Sequence, residues 1–550
     1  MPEPSLTPVD DRPSGGFIGR FLNFVEWLGN LLPHPVTLFA ILCGVILVAS
    51  GIADWAGLEV LDPRPIGTKG RSEDGIIRAV GLLDGEGLRR IGTGLVHNFT
   101  SFAPLGTVLV ALLGVGVAER SGLLGAGIRK MVLSAPPNLL TTVVVFSAVI
   151  SNTASEMGYV VLIPLSAVVF HSVGRNPLVG LAAAFAGVSG GYSANLLIGT
   201  VDPLLSGITN EAARMIDPAF APGGSMEILP TANYYFMAIS TVMITVIGTL
   251  VTTKIVEPKL GKYDSSRAEE GIEESTKDMG VLSANENRGL RWAGITILGL
   301  VIGLALLSLP EGAPFRVPPP RDGSPAPDMT LAQSLKPLLQ SVVPLIFVFF
   351  MIPAIVYGRI VGTMRNDRDV IDGMAKAMSS MGLYLVLVFF AAQFVAFFNW
   401  SNLGTITAVL GADQLVAWDL TGPEVFFFFI LICCFVNLML GSASAQWGVT
   451  APIFVPMLMT IGYSPQVIQA AYRIGDSTTN IITPMMSYFG LILAFAMRYD
   501  KKLGIGTLIS MMIPYSICFL IGWIILFYSW VFLFDLPVGP GTPLYYVPPT

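Results

Sequence analysis

YRIGDSTTNIITPMMSYF, residues 472–489, sets an arginine, an aspartate and a run of hydroxyl and amide side chains inside an otherwise apolar stretch, 423–498. An ionisable side chain at the centre of a bilayer costs on the order of 3 kcal/mol on insertion scales, so such groups face a protected interior and serve a purpose there. Crossing about 30 Å of hydrocarbon takes roughly 20 residues. The segment 466–498 therefore reads as a membrane-spanning helix broken near its middle, at YRIGDSTTN (472–480). Backbone that leaves helical geometry survives at that depth only inside protein or beside a water-filled cavity.

Interruptions of the same kind recur elsewhere. GSASAQW (441–447) divides the run 423–462, SNTASE (151–156) divides 133–171, and GVSGGYSANLLIGTVD (187–202) divides 177–213. Neither half of 133–171 or of 423–462 is long enough to span, so both read as re-entrant hairpins; 177–213 reads as a second broken helix. Uninterrupted spans are expected at 34–53, 101–119, 232–253, 290–309, 338–358, 380–398 and 504–534. The expectation is an all-α polytopic membrane protein with nine transmembrane helices plus two re-entrant hairpins. Composition agrees. Of 550 residues 53% are hydrophobic and only 12% charged, about half the charged share of a soluble domain, and mean hydropathy is +0.69.

The Lys and Arg distribution orients the chain. With residues 1–33 cytoplasmic, Arg129/Lys130, Lys254/Lys259/Lys262, Arg359/Arg365/Arg368 and Arg498/Lys501/Lys502 fall inside. Roughly twice as many basic residues then lie inside as outside, and six of the outer ones sit in the long loop 54–100. The C-terminal tail 535–550 then lies on the outer face, as in an inner-membrane protein. The polar N-terminus lacks a basic start and a short apolar core, so insertion is expected to rely on the spans themselves. A first half, 34–256, is joined by the charged cytoplasmic linker 257–289 to the connecting spans 290–379. Those carry the external Pro-rich loop 310–330, expected to be extended.

Residues 101–256 and 380–534 repeat one order: span, hairpin, broken helix, span. NTASEMG (152–158) answers SASAQWG (442–448), aligning Gly158 with Gly448, and GGYSANLLIGT (190–200) answers GDSTTNIITPM (475–485), aligning Asn195 with Asn480. The first copy begins outside and the second inside, so the repeats are inverted. This plan recurs in secondary transporters, where half-helix ends hold substrate and ion near the midplane: N-termini present N–H groups to anions, C-termini present carbonyls to cations. Gly190 and Gly191 are expected to let the backbone leave the helix.

Several residues are candidates for chemistry. Arg473 and Asp476, three apart, share a helix face and can pair. Asp476 adjoins the expected break at Gly475, where it can bind a cation or a proton. Asp202 follows the first break and either acts there or caps a helix before Pro203. Glu156, at the first hairpin tip, raises the same choice. Trp447 sits among Ser442, Ser444, Gln446 and Gly448, a setting for a ring that stacks on a ligand, and is otherwise an interfacial anchor. Asn437, Asn152, Asn195, Asn480, Ser155 and Ser442 are structural glue or ligand and ion contacts, since buried amides need partners. Pro465 opens the second broken helix and equally serves as punctuation.

SNTASEMGYVVLIPL (151–165), GGYSANLLIGTVDPLL (190–205), NLMLGSASAQWGVTAPIFVPM (437–457) and YRIGDSTTNIITPMMSYF resemble the AbgT family of bacterial p-aminobenzoyl-glutamate transporters, over nearly the whole chain. The resemblance implies a bowl-shaped homodimer that imports p-aminobenzoyl-glutamate or exports sulfonamide antimetabolites on an ion gradient. The family's functional positions correspond to Asp202, Asn437, Ser444, Trp447, Pro465, Arg473 and Asp476, with no substitution among them. Proton coupling through Asp476 or Asp202 is the expected mechanism. A Na⁺-coupled carrier of a small dicarboxylate has the same architecture, with Na⁺ near Asn437 and Asp476.

Other classes fit poorly. No basic patch suits a nucleic acid, and no metal spacing, nucleophile with adjacent base or nucleotide loop suits an enzyme or a bound cofactor beyond the coupling ion. The three histidines are scattered, and the four cysteines lie in apolar runs as small hydrophobes. A passive channel seldom needs inverted, broken repeats.

Overall fold

The structure, a computed structural model, describes residues 33–62, 71–154, 157–221, 223–264, 268, 282–318 and 329–547. Helix α1 (Pro35–Trp55) leads into a short antiparallel ladder of β1 (Glu59–Leu61) on β2 (Ile76–Arg78). Next come α2 (Gly85–Thr100), α3 (Ala103–Ser121), α4 (Leu123–Leu133), α5 (Leu140–Ser151) and α6 (Ile163–Ser172). They are followed by α7 (Pro177–Phe185), extended by a wider turn to Gly190, α8 (Val201–Ala213) and α9 (Tyr234–Val251). Two connecting helices, α10 (Ala284–Leu306) and α11 (Val342–Val361), precede α12 (Asp367–Ser380). The second copy comprises α13 (Gly382–Trp400), α14 (Leu403–Ala417), α15 (Val425–Leu440), α16 (Ala443–Thr460), α17 (Pro465–Thr479), α18 (Phe489–Met497) and α19 (Ile505–Phe527).

Each of the seven uninterrupted apolar stretches holds a helix, and among the described residues seven helices are long and apolar enough to cross a membrane. The order α3–α9 is repeated by α13–α19: a span, a short helix, the two limbs of a hairpin, two half-helices and a closing span. The short helices α4 and α14 were missed as part of the repeat, because neither is long enough to register as a span. Helix α4 turns sharply into the first hairpin limb, at 110°.

Three expectations need correction. The loop expected at 54–100 holds the β-ladder and α2, which starts at Asp84, whose Oδ1 accepts from the Gly87 amide at 2.7 Å; α2 is amphipathic, so hydropathy alone overlooks it. Likewise, YRIGDSTTN is not the break of the second broken helix: α17 runs through it to Thr479, and the chain leaves helical geometry only after Ile482. Gly475 is there for packing. A Cβ at that position would collide with Cβ of Cys433 and lie 2.9 Å from the Ile430 carbonyl, so glycine lets α17 press against α15. Similarly GSASAQW interrupts the hairpin only at Gly441, in the left-handed conformation at φ 53°, and Ser442; α16 then begins at Ala443.

Gly190 and Gly191 keep negative φ. They are crowded by Phe519 and by the Gly187 carbonyl respectively, so they too serve close approach. Burial is strongest where the two copies meet. Every residue of α17, Pro465–Thr479, is buried although it includes Gln466, Gln469, Arg473 and Asp476. Helix α10 is the opposite case, with only Gly289 and Ala293 buried, so its apolar surface is left for lipid.

Candidate functional site

A cavity of about 280 Å³ lies where the four discontinuities converge. The first hairpin contributes Asn152 and Tyr159, the first break Tyr192 and Thr200, the second hairpin tip Gly441, Ser442 and Ser444, and the second break Asn480 and Tyr488. Thus Asn152, Ser442, Ser444 and Asn480, four of the residues singled out from sequence, share one pocket. Asn195 stands behind it, its Oδ1 accepting from Thr153 Oγ1 at 2.9 Å and tying the first break to the first hairpin tip. Asn152 Nδ2 in turn donates to the Gly191 carbonyl at 3.3 Å. Ser155 and Glu156 lie outside the described residues.

Aromatic side chains shape the pocket wall. Tyr159 and Tyr488, one from each copy, stack with centroids 4.6 Å apart and planes within 9°. Trp447 is not part of the lining. It is wholly buried, stacked on Tyr472 at 4.2 Å, with Nε1 donating to Thr209 Oγ1 at 2.9 Å. In this conformation the indole braces α16 on α17 and α8 and presents no face to the pocket.

Beneath the cavity runs a buried polar chain. Arg473 Nη2 donates to Asp202 Oδ1 at 2.6 Å, both side chains 3% exposed, and Arg473 Nε donates to Asn233 Oδ1 at 3.1 Å. Gln469 Nε2 donates to the same Asn233 oxygen at 2.7 Å, and Thr209 Oγ1 donates to Gln469 Oε1 at 2.6 Å, which extends the chain to Trp447. The expected Arg473–Asp476 pair is replaced by an ion pair between the two copies. Asp202 Oδ2 also accepts from the Gly199 amide at 2.8 Å, so from inside the first turn of α8 it holds the preceding segment of the first break while pairing with Arg473.

Asp476 makes no ion pair among the described residues, with Arg473 one turn back committed to Asp202. Among the described residues neither carboxylate oxygen has a hydrogen-bond partner, and the neighbouring Tyr472 donates its hydroxyl proton to the Ala443 carbonyl at 2.9 Å. Asn437, on α15, reaches across so that Nδ2 lies 2.7 Å from the Asp476 carbonyl, 2.9 Å from Thr479 Oγ1 and 2.9 Å from Asn480 Oδ1. Among the described residues, Oδ1 of Asn437 and Oε1 of Gln446 likewise have no hydrogen-bond partner. Among the described residues no group of three or more His, Cys, Asp or Glu is placed to hold a metal ion. Pro465 is the first residue of α17, behind the Ser464 cap, and does not line the cavity.

Sequence reasoning missed Asn233, Gln469, Thr209 and the tyrosines. One signal was available: Gln466, Gln469, Arg473 and Asp476 follow helical spacing and mark one polar face of an uninterrupted helix.

Repeated discontinuous helices around a buried, polar, charge-paired centre define a polytopic membrane transporter. The chain belongs to the AbgT putative transporter family, whose profile matches residues 20–546. It is 36% identical over 530 residues to the p-aminobenzoyl-glutamate transport protein of Escherichia coli (strain K12), covering 96% of this chain and 98% of that one. Among solved structures, Neisseria gonorrhoeae MtrF, described as illuminating a class of antimetabolite efflux pumps, superposes with a TM-score of 0.85 at 57% identity, over 95% of this chain and 100% of that one. The Alcanivorax borkumensis YdaH transporter, described as having an unusual topology, gives 0.81 at 43% identity, over 92% and 100%.

Proposed function

We propose that this protein is a proton-coupled secondary transporter that moves p-aminobenzoyl-glutamate, exports sulfonamide-type antimetabolites, or does both, through the cavity between the two hairpin tips. The observation that carries the coupling is Asp476: fully buried, with no hydrogen-bond partner at either oxygen among the described residues, and three residues from an arginine already committed to Asp202. Asp476 lies one turn from the Arg473–Asp202 pair that joins the two copies, where proton uptake and release can accompany changes in its exposure as the copies move. The names of the Escherichia coli and Neisseria relatives support the substrate classes. An aminobenzoyl ring fits a wall that holds Tyr159 and Tyr488, with stacking of about 0.5–1.5 kcal/mol.

The test is uptake of radiolabelled p-aminobenzoyl-glutamate into proteoliposomes under an imposed pH gradient, with and without Na⁺. Transport that needs the pH gradient and is abolished in Asp476→Asn supports the reading; transport unchanged in Asp476→Asn refutes it. A Na⁺-coupled alternative, carrying a small dicarboxylate, is favoured by the unpartnered amide oxygens of Asn437 and Gln446, neutral ligands of the kind a hard cation accepts. Transport that follows Na⁺ and fails in Asn437→Leu would select it. We place the protein in the inner membrane as a homodimer, N-terminus cytoplasmic and C-terminus periplasmic. Accessibility of single cysteines at each terminus, and subunit cross-linking, check that arrangement.

A further inference from the structure

A second and larger cavity, about 560 Å³, lies on the far side of the first hairpin tip, enclosed by α4, α5, α10 and α11. Its size is that of a small-molecule site, but its chemistry is different. The hydroxyls that reach it are already committed. Ser151 Oγ donates to the Ala148 carbonyl at 2.6 Å, and Thr153 Oγ1 to Asn195. Water needs several polar partners to settle in a cavity, so one lined this way favours an apolar occupant.

The position of the mouth identifies the source. Ile297 and Val301 line the cavity and are 41% and 48% exposed, on α10, the span least covered by protein. The opening therefore faces hydrocarbon. Inside there is room: a Cβ at Gly127 or at Gly294 would meet no atom within 4 Å.

We propose that this cavity is an alkyl-chain site for a bilayer lipid, and that the chain supports the first hairpin tip from behind. Thr153 forms its deep end, while the adjacent Asn152 lines the polar cavity. Loss of the chain thus loosens one wall of the polar site. The lipid site itself does not depend on the transport reading.

The experiment reconstitutes the full chain in phosphatidylethanolamine–phosphatidylglycerol vesicles doped with a phospholipid that bears a diazirine near the end of one acyl chain. After photolysis, adducts are mapped by peptide mass spectrometry. Adducts are expected on the 123–131 and 150–153 segments, and are expected to be lost in Gly127→Leu/Gly294→Leu, which fills the cavity. Labelling of Leu298, 59% exposed on the outer face of α10, remains. Should the double variant fail to fold, Gly294→Leu alone carries the same expectation. Cavity adducts that persist after filling, or an absence of them in wild type while Leu298 is labelled, would overturn the proposal. So would efficient disulfide formation between two copies of Gly294→Cys, which would make the cavity a subunit interface.

Discussion

Replacing Asp202 by asparagine leaves Arg473 as a buried cation whose remaining partner is a neutral amide, Asn233. The pair is 2.6 Å long and both side chains are 3% exposed, so water is not at hand to replace the lost carboxylate. Breaking a pair this deeply buried by removing one partner costs about 3–5 kcal/mol. With an unfolding entropy of roughly 2.1 cal/mol/K per residue, a chain of this length changes by about 1.2 kcal/mol per degree, so Tm should fall by about 3–4 °C. Arg473→Met should fall by a similar amount, because it strands the carboxylate instead.

The informative comparison is the double variant, Asp202→Asn with Arg473→Met. No charge is then buried, and the asparagine oxygen can still accept from the Gly199 amide. Exchanging a buried pair for neutral residues is often neutral or stabilising, so the double variant should melt above both single variants. Thermal unfolding of the purified protein in detergent, followed by tryptophan fluorescence and by gel filtration, reads all four proteins. Single variants within about 1 °C of wild type, or a double variant whose loss equals the sum of the singles, would refute the argument that these groups stabilise each other.

Trp447→Phe keeps the stack on Tyr472 but loses the bond to Thr209, so it should cost about 1 kcal/mol in stability and leave the half-saturation concentration for p-aminobenzoyl-glutamate unchanged; a large rise would put the indole on the substrate. Gly475→Ala drives a methyl group into Cys433 and the Ile430 carbonyl and should destabilise by about 1–3 kcal/mol, seen as a lower Tm; a wild-type Tm would mean that α15 and α17 are not closely packed. The backbone amides of Arg365 and Asn366 donate to Asp369 and hold its carboxyl below the usual range. A depressed pKa contributes stability above the ordinary value of about 3.9 that is lost as pH falls through the folded value. Hydrogen exchange at the start of α12, corrected for intrinsic rates, should therefore quicken only in acid, and Asp369→Ala should show that faster exchange at neutral pH.

The architecture was legible because a bilayer allows few solutions. A polar run inside an apolar one has to be either a discontinuity or a protected helix, and the paired runs at 151–156 with 441–447 and 187–202 with 472–480 exposed the repeat. Which of the two each run is was not legible. SNTASE leaves the α-helix for a 3-10 turn at Asn152–Ala154 and GVSGGYSANLLIGTVD contains irregular backbone, but YRIGDSTTN is helical, because its polar face is buried against α8, Asn233 and α15, neighbours that sequence order does not reveal. The same blindness explains the ion pair. Arg473 and Asp476 are adjacent in sequence, whereas Asp202 is 271 residues away and becomes a partner only once the copies are packed. Trp447 lies off the pocket for a related reason: its flanking Ser442 and Ser444 line the cavity, while the indole turns onto Tyr472 and Thr209, neighbours that sequence order does not reveal.

That dependence on packing has a mechanical consequence. Asp202 belongs to the first copy and Arg473 to the second, and Ser193 of the first break donates its amide to Ser477 Oγ on α17 at 3.1 Å. Any rocking of one copy against the other must either carry these links as one body or break them. Breaking the ion pair without substitution would cost as much as removing a partner, unless something replaces the lost charge. Both halves of the pair need compensation at once: a substrate carboxylate taking Asp202's place on Arg473, together with a proton on Asp202 itself. Asp476, on the same helix and with no hydrogen bond to the first copy among the described residues, is not restrained in this way. On the proposed reading, a site with one locked carboxylate and one unlocked one separates two tasks, holding the copies together and exchanging charge. Swapping their environments, by Asp202→Asn together with a new partner for Asp476, should abolish coupling even where folding is retained.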